Sequence, residues 1–322
     1  TGLQQVTCLV DRLGAGISQA IGTGGHDLSQ AVGGVTFLQG VKALADDAAT
    51  RIIVLISKPP APEVAAAVLA EARKAGKPVV VNFLGADLKA IAGPNLAPVM
   101  TLEDAAVSAV ALSKREPPSR LALAAPRFEP PRLTAGQRYI RGLYSGGTFC
   151  YEATLLLGDA LRQVYSNTPA GRAKPLDDVW KSRAHTLVDL GDDLFTRGRP
   201  HPMIDHRLRD ERIASEARDP ETAVILLDVV IGYGAHADPA AEIAPVVHGA
   251  IAQAAAAGRS LSVVGFVCGT KSDPQSLADQ EARLRAAGMT LTQSNAQAVR
   301  LAAQIVAQTA ENALAASEAG SA

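Results

Sequence analysis

The strongest constraint on the fold is a rhythm in which short apolar, β-rich runs alternate with longer alanine-rich stretches of helical period. Residues 17–23, 51–57 and 78–84 (PVVVNFL) read as buried strands, and 28–45 and 63–75 carry apolar residues at helical spacing. Gly76 stands where a helix C-cap is expected, and Pro78 opens the next strand. Strand, helix and strand in that order imply βαβ units and a parallel sheet. The rhythm returns further on, with strands expected at 139–144, 186–190, 223–231, 261–267 and 289–292. Helices are expected at 149–164, 239–257, 276–287 and 296–310, followed by a frayed tail of small and polar residues.

Composition agrees. Of 322 residues 48% are hydrophobic and only 4% aromatic, as suits alanine-rich helices packed closely on strands covered on both faces. The length favours two domains. Pro117, Pro118, Pro126, Pro130 and Pro131 crowd a stretch where both periods fail, which reads as a linker. The expected organisation is therefore a domain over 1–113, a linker over 114–135, a second domain over 136–310 and a tail over 311–322. The fold class is α/β, with two parallel-sheet domains in tandem. A formal net charge of −1 gives no electrostatic case for nucleic acid or an anionic membrane. Cys8, Cys150 and Cys268 are widely spaced, form no metal-ligand pattern, and suit core positions in a reducing cytoplasm. No apolar run reaches about 18 residues, so no membrane span is expected.

The halves read as a repeat. AATRIIVLISKPPAPEVAAAVLAEARKAGKPVVVNFLG and PETAVILLDVVIGYGAHADPAAEIAPVVHGAIAQAAAAGRSLSVVGFVCG share the order strand, polar loop, proline, alanine-rich helix, glycine, strand and glycine. In the second half the strand YIRGLY enters Ser145-Gly146-Gly147-Thr148 and then a helix. In the first half the helix GLQQVTCLVDRLG has no strand before it, and Thr1-Gly2 aligns at Thr148. The alignment implies the C-terminal piece of a longer polypeptide, with an N-terminal fragment or domain of the same gene product as partner.

Several segments carry a specific resemblance: GISQAIGTGGHDLSQAVGG, VLISKPPAPEV, GKPVVVNFLG, GLYSGGTFCYEA, HTLVDLGDDLFTRGRPHPMID and ILLDVVIGYGAHADPA. Together they resemble the FdrA family, which is similar to fused α- and β-type subunits of succinyl-CoA synthetase. The resemblance implies flavodoxin-like domains, an α-type one over 1–113 and a β-type one over 136–310. It also implies that a CoA-binding-type Rossmann domain is lacking. The synthetases present a phosphorylatable histidine after the Gly-Lys-Pro-Val strand; here the stretch is GADLKAIAGPNLAPVM, with no histidine. That departure argues against a phosphohistidine relay. Family members are linked to oxamate carbamoyltransferase, which would need a carbamoyl phosphate site instead.

Candidate site residues fall at strand ends. Ser145, Gly146, Gly147 and Thr148 would offer backbone N–H groups and a helix dipole to a phosphate or carboxylate, unless the segment is a plain turn capped by Thr148. Gly22, Thr23, Gly24 and Gly25 form a second such loop, with Asp27 and Ser29 as cap candidates. Lys58 occupies a matching strand end. In the dense run Asp189 to Asp205, Arg197 and Arg199 could clamp an anion while His201 moves a proton; the plain alternative is an internally salt-bridged loop. Asp192 and Asp193 are further anion-site or cofactor-site candidates, with no metal expected. Asp228 lies inside an apolar strand and needs a backbone amide or an arginine as partner. His236 lies just beyond that strand, where ligands of open α/β sheets gather. Thr1 is a nucleophile candidate if the chain arises by cleavage.

These residues support an enzyme subunit handling an acyl or carbamoyl group of a small anionic metabolite, with a CoA thioester or an acyl or carbamoyl phosphate as cofactor. The alternatives are a noncatalytic CoA- or nucleotide-binding assembly subunit, and a hydrolase autoprocessed at Thr1. A homo- or hetero-oligomer is expected.

Overall fold

The computed structural model describes residues 1–121, 123–126, 128–129 and 131–319, with side chains described to residue 308. It divides into two units, Thr1–Leu123 and Ala124–Ala322. Pro130, one of the crowded prolines, lies outside the described residues.

The first unit runs α1 (Gly2–Arg12), α2 (Val35–Asp46), β1 (Ile53–Ser57), α3 (Pro62–Lys74), β2 (Val79–Phe83), α4 (Leu88–Ile91), β3 (Leu96–Pro98) and α5 (Leu102–Lys114). Its three strands form a parallel sheet in the order β1-β2-β3. The core gathers Ile53, Leu55, Val79, Val81 and Phe83 from the strands with Val64, Val68 and Ala72 of α3. Two sequence expectations are corrected here. Residues 17–23 form no strand, and Ile17 and Ile21 are exposed. Five glycines between positions 14 and 25 make an ordered extended conformation entropically expensive. The helix expected over 28–45 begins only at Val35, because Gly33 and Gly34 have φ of 76° and 73°. A side chain on Gly34 would also stand 2.7 Å from Val64 of α3. Buried Asp27 takes over the cap, accepting from the N–H groups of Thr36 (3.2 Å) and Phe37 (2.9 Å).

The second unit runs β4 (Tyr139–Tyr144), α6 (Gly147–Ala160), β5 (Val164–Ser166), β6 (Lys174–Pro175), β7 (His185–Asp189), α7 (Asp193–Thr196), α8 (Arg207–Arg218), β8 (Thr222–Val230), α9 (Pro239–Ala256), β9 (Ser262–Cys268), α10 (Leu277–Ala286), β10 (Met289–Thr292) and α11 (Asn295–Ala319). All its strands pair in parallel, in the order β10-β9-β8-β4-β7-β5-β6. Helices α8, α9 and α10 pack on one another, and α6 packs on α11. Alternate β8 residues Ile225, Leu227 and Val229 join one core with Ile213 of α8, Val247 of α9 and Leu284 of α10. Where a frayed tail is expected, α11 continues as helix to Ala319. The three cysteines are free, and no helix among the described residues is long and apolar enough to cross a membrane.

A buried ionic lattice braces this unit. Arg141 of β4 pairs with Glu216 (3.0 Å) and Asp219 (2.6 Å), and Glu216 also receives Arg212 (2.6 Å). Beside it, His185 accepts a hydrogen bond from the Ile140 N–H at 3.2 Å. Burial, helped by the Arg141 charge, pulls its pKa down to about 4. The folded chain therefore binds fewer protons at His185 than the unfolded chain between about pH 6.5 and pH 4, and stability falls as pH drops through that window. His185→Gln, which keeps an acceptor without titrating, should remove about 2 kcal/mol of the pH dependence between pH 7.5 and pH 5. Urea denaturation at pH 7.5 and pH 5 measures the difference.

Candidate functional site

Strand β4 lies between β7 and β8, and the chain leaves their carboxyl ends in different directions: α6 packs with α11, whereas α9 packs with α8 and α10. This is a topological switch point, the place where open α/β sheets present a ligand crevice. It is lined by the turn after β4, the loop after β7 and the loop after β8.

Asp228, fully buried near the end of β8, organises the turn after β4. Its carboxylate accepts from the Ser145 N–H (2.7 Å), the Ser145 hydroxyl (2.7 Å) and the Gly146 N–H (2.9 Å). Buried Arg209 of α8 donates to the Asp228 carbonyl (2.7 Å) and reaches the carboxylate at 3.3 Å. The partners expected from the sequence, an amide or an arginine, are both present. The N–H groups of Ser145 and Gly146 are thus taken by the chain's own carboxylate, which differs from the expectation that they bind a ligand anion. Helix α6 starts at Gly147, with Gly146 rather than Thr148 at the N-cap position. The N–H groups of its first turn have no acceptor inside the helix and carry the positive end of its dipole.

Two glycines let other groups close on this turn. A Cβ on Gly147 would lie 2.4 Å from Asp189 Oδ2. One on Gly191 would lie 2.7 Å from His201 Nε2 and 2.8 Å from the Ser145 carbonyl oxygen. Asp189 accepts from the Gly191 N–H at 2.9 Å, and Asn167 brackets its backbone through bonds of 2.8 and 3.0 Å. His201, half-buried, accepts from the Met203 N–H through Nδ1 at 3.2 Å, so the neutral ring carries its hydrogen on Nε2. Burial lowers its pKa and the Asp228 charge partly opposes this, so the ring is neutral near pH 7. A neutral imidazole with a donor at Nε2 therefore stands against Gly191, beside the Ser145 carbonyl at the end of β4.

A second constellation lies behind Arg209. Its Nη2 donates to His206 Nδ1 at 3.1 Å, and the His206 ring lies 5.4 Å from that of His236. His236 Nε2 stands 3.3 Å from Glu242. Among the described residues, His206, His236 and Glu242 are a group whose ligand atoms all lie within 4.8 Å of one another, suited to a metal ion. Burial, with Arg209 and His236 nearby, takes the His206 pKa down to about 3. Burial also raises Asp210 to about 6, with the Glu242 and Asp205 charges adding to the rise. The loop after β8 is tied down from α10 and the segment before it. Gln275 exchanges bonds with Gly232 (2.9 and 2.7 Å) and donates to the His236 carbonyl, while Gln280 and Arg283 hold Asp238.

Of the residues singled out from the sequence, Ser145, Gly146, Gly147 and His201 come together at the switch point. Asp192 instead caps α7 through the Leu194 N–H at 3.0 Å, and Asp193 is exposed. Arg197 and Arg199 are exposed on the same loop. Residues 22–25 and Lys58 belong to the first unit; Lys58 is exposed at the end of β1, and Gly22, Gly24 and Gly25 are exposed. Thr1 takes the N-cap position of α1, its carbonyl accepting from the Gln5 N–H. Sequence reasoning missed Arg209, His206, Asp210 and Glu242. Arg209 hides in RLRDERIASEAR, whose charge density reads as a solvated helix although Arg209 is 1% exposed.

Comparison with known proteins adds lineage to this geometry. A family described as CoA-ligase matches residues 143–305, just over half the chain, and one described as CoA binding domain matches residues 1–85. The second match conflicts with the expectation that a CoA-binding-type domain is lacking. The chain is 42% identical over 310 residues to the uncharacterized protein YahF of Escherichia coli strain K12, covering 95% of this chain and 60% of that protein. It therefore spans about three fifths of this relative's length. A dinucleotide-forming acetyl-coenzyme A synthetase 1 of Ca. Korarchaeum cryptofilum, in its apo form, aligns over 84% of this chain and 56% of that one, at 15% identity and a TM-score of 0.34. That score is too low to carry an argument.

Asp228→Ala would leave three donors without their acceptor and the buried Arg209 guanidinium without its counter-charge. It should cost about 3–5 kcal/mol, read as a lowered urea midpoint. Gly191→Ala should displace the His201 ring, seen as a shift of the His201 imidazole resonances in NMR spectra.

Proposed function

We propose, from the premise that this chain belongs to the CoA-ligase family, that it is a subunit transferring an acyl or carbamoyl group, of FdrA type. The observation that carries the reading is His201. A neutral, half-buried imidazole sets its Nε2 against Gly191, which also lies against the Ser145 carbonyl of the turn that Asp228 holds in place at the switch point. A phosphate or carbonyl oxygen placed at the start of α6 would meet the first-turn N–H groups and the helix dipole. His201 Nε2–H would donate to that oxygen or to the departing group, and Met203 keeps the hydrogen on that nitrogen. Arg197 and Arg199, exposed on the rim, would attract the anionic substrate over distance rather than grip it. In the first unit, the exposed Gly24 and Gly25, around which an added Cβ meets nothing, leave room for the anionic part of CoA, with Lys58 as its counter-charge. When bound, CoA would supply the thiol that carries the acyl group.

The stretch GADLKAIAGPNLAPVM folds as α4 and β3 without a histidine, which supports transfer by positioning and charge stabilisation rather than through a phosphorylated side chain. A noncatalytic CoA-binding subunit is the second reading, favoured by one fact: Asp228 already uses the N–H groups of Ser145 and Gly146.

Turnover of carbamoyl phosphate, acyl-CoA and ATP, measured on the intact protein purified with the products of neighbouring genes, separates the two. His201→Ala should lower the active reaction roughly 10²–10⁴-fold. Arg199→Ala should mainly raise KM and its salt dependence. Activity unchanged by His201→Ala sinks the assignment of His201, and no turnover of any of the three substrates favours the binding subunit.

A further inference from the structure

We propose that His206, His236 and Glu242 bind one divalent transition-metal cation, with zinc the best match to the donor set. Two imidazoles and a carboxylate are a donor combination that suits zinc rather than magnesium or calcium, which prefer all-oxygen sites. The three ligand atoms already lie within 4.8 Å of one another. His236 Nε2 and Glu242 Oε1 are 3.3 Å apart. That is the separation of two ligands around a tetrahedral ion with bonds of about 2.0–2.1 Å.

An orphaned ring nitrogen points independently to a cation at this site. His206 is 2% exposed, and its Nε2 has no hydrogen-bond partner. The Pro202 carbonyl lies near the ring, but no hydrogen bond of acceptable geometry reaches that nitrogen. On the next turn of the same helix, Asp210 Oδ1 is also buried without a donor. A buried carboxylate oxygen with no donor is costly, and a buried imidazole nitrogen with no partner likewise. An ion at His206 Nε2 would satisfy the orphaned imidazole nitrogen, while Asp210 stands outside the group of three ligand atoms.

The proton balance is specific. Arg209 can only donate, so it holds His206 Nδ1 as acceptor and the neutral ring keeps its hydrogen on Nε2. Coordination at Nε2 displaces that proton to solvent, and the Arg209 guanidinium on the far side of the ring offsets the negative charge the ring acquires. His236 is half-exposed; it gives up the 3.1 Å contact from the Asp238 N–H, moves its hydrogen to Nδ1 and presents a bare Nε2. One ion is bound and one proton is released. Arg209 joins this site to Asp228, so a ligand of the sheet's switch point and the cation would share one buried guanidinium.

The test is zinc binding by the full chain after chelator treatment, in competition with a chromophoric chelator. One ion per chain is expected. His236→Ala and Glu242→Gln, both at solvent-accessible positions, should each weaken binding at least tenfold, while His248→Ala, exposed on the same helix, should leave it unchanged. Cobalt added in zinc's place should give four-coordinate ligand-field bands that His236→Ala abolishes. Circular dichroism of each variant should match that of the unaltered chain. Absence of saturable one-to-one binding overturns the proposal, and so does equal affinity in the unaltered chain, His236→Ala and Glu242→Gln.

Discussion

Everything at the carboxyl end of the seven-stranded sheet depends on one buried carboxylate. Asp228 sits fully buried near the end of a largely apolar strand, where an ionised group without partners would cost several kcal/mol. Its partners come from two other elements: a turn that supplies two amides and a hydroxyl, and a helix that supplies a guanidinium. The same contacts that satisfy the charge fix the start of α6 and the position of α8. Removing the charge would therefore disturb the turn, the helix and whatever binds between them.

The glycines around this centre act by being small. Gly147 admits Asp189 and Gly191 admits His201, so a carboxylate and an imidazole reach the turn at distances a Cβ would forbid. His201 sits between low dielectric surroundings, which lower its pKa, and the Asp228 charge, which raises it. The result is a neutral ring with a fixed hydrogen. The second histidine cluster is built differently: Arg209 holds one ring from behind, and an exposed glutamate faces the other. The two clusters are neighbours because one arginine side chain serves both.

Much of this was legible in the sequence, since a parallel sheet covered on both faces writes its strands as short apolar runs. Strands 53–57, 79–83, 139–144, 222–230, 262–268 and 289–292 fall within a residue or two of their expected ends. The failure over 17–23 is instructive: Ile17 and Ile21 give an apolar alternation, but the surrounding glycines leave the segment without ladder bonds. The need of Asp228 for partners was visible because an acidic residue interrupts an apolar run. The identity of Arg209 as that partner was not, because only tertiary packing separates a buried arginine from the exposed ones flanking it in RLRDERIASEAR. Arg197 and Arg199 lie exposed on a loop whose charge density marks it as polar.

The clamp on the turn also has a kinetic side. Ser145 and Asp228 are 83 residues apart in the chain, while Arg209 is only 19 residues from Asp228. As the chain leaves the ribosome, the start of α6 has no partner until β8 has been made and has docked beside β4. Contacts of that sequence separation close late, after their loop entropy has been overcome. The crevice at the switch point is thus among the last features of the unit to assemble, and it exists only in chains whose central strands have paired in register.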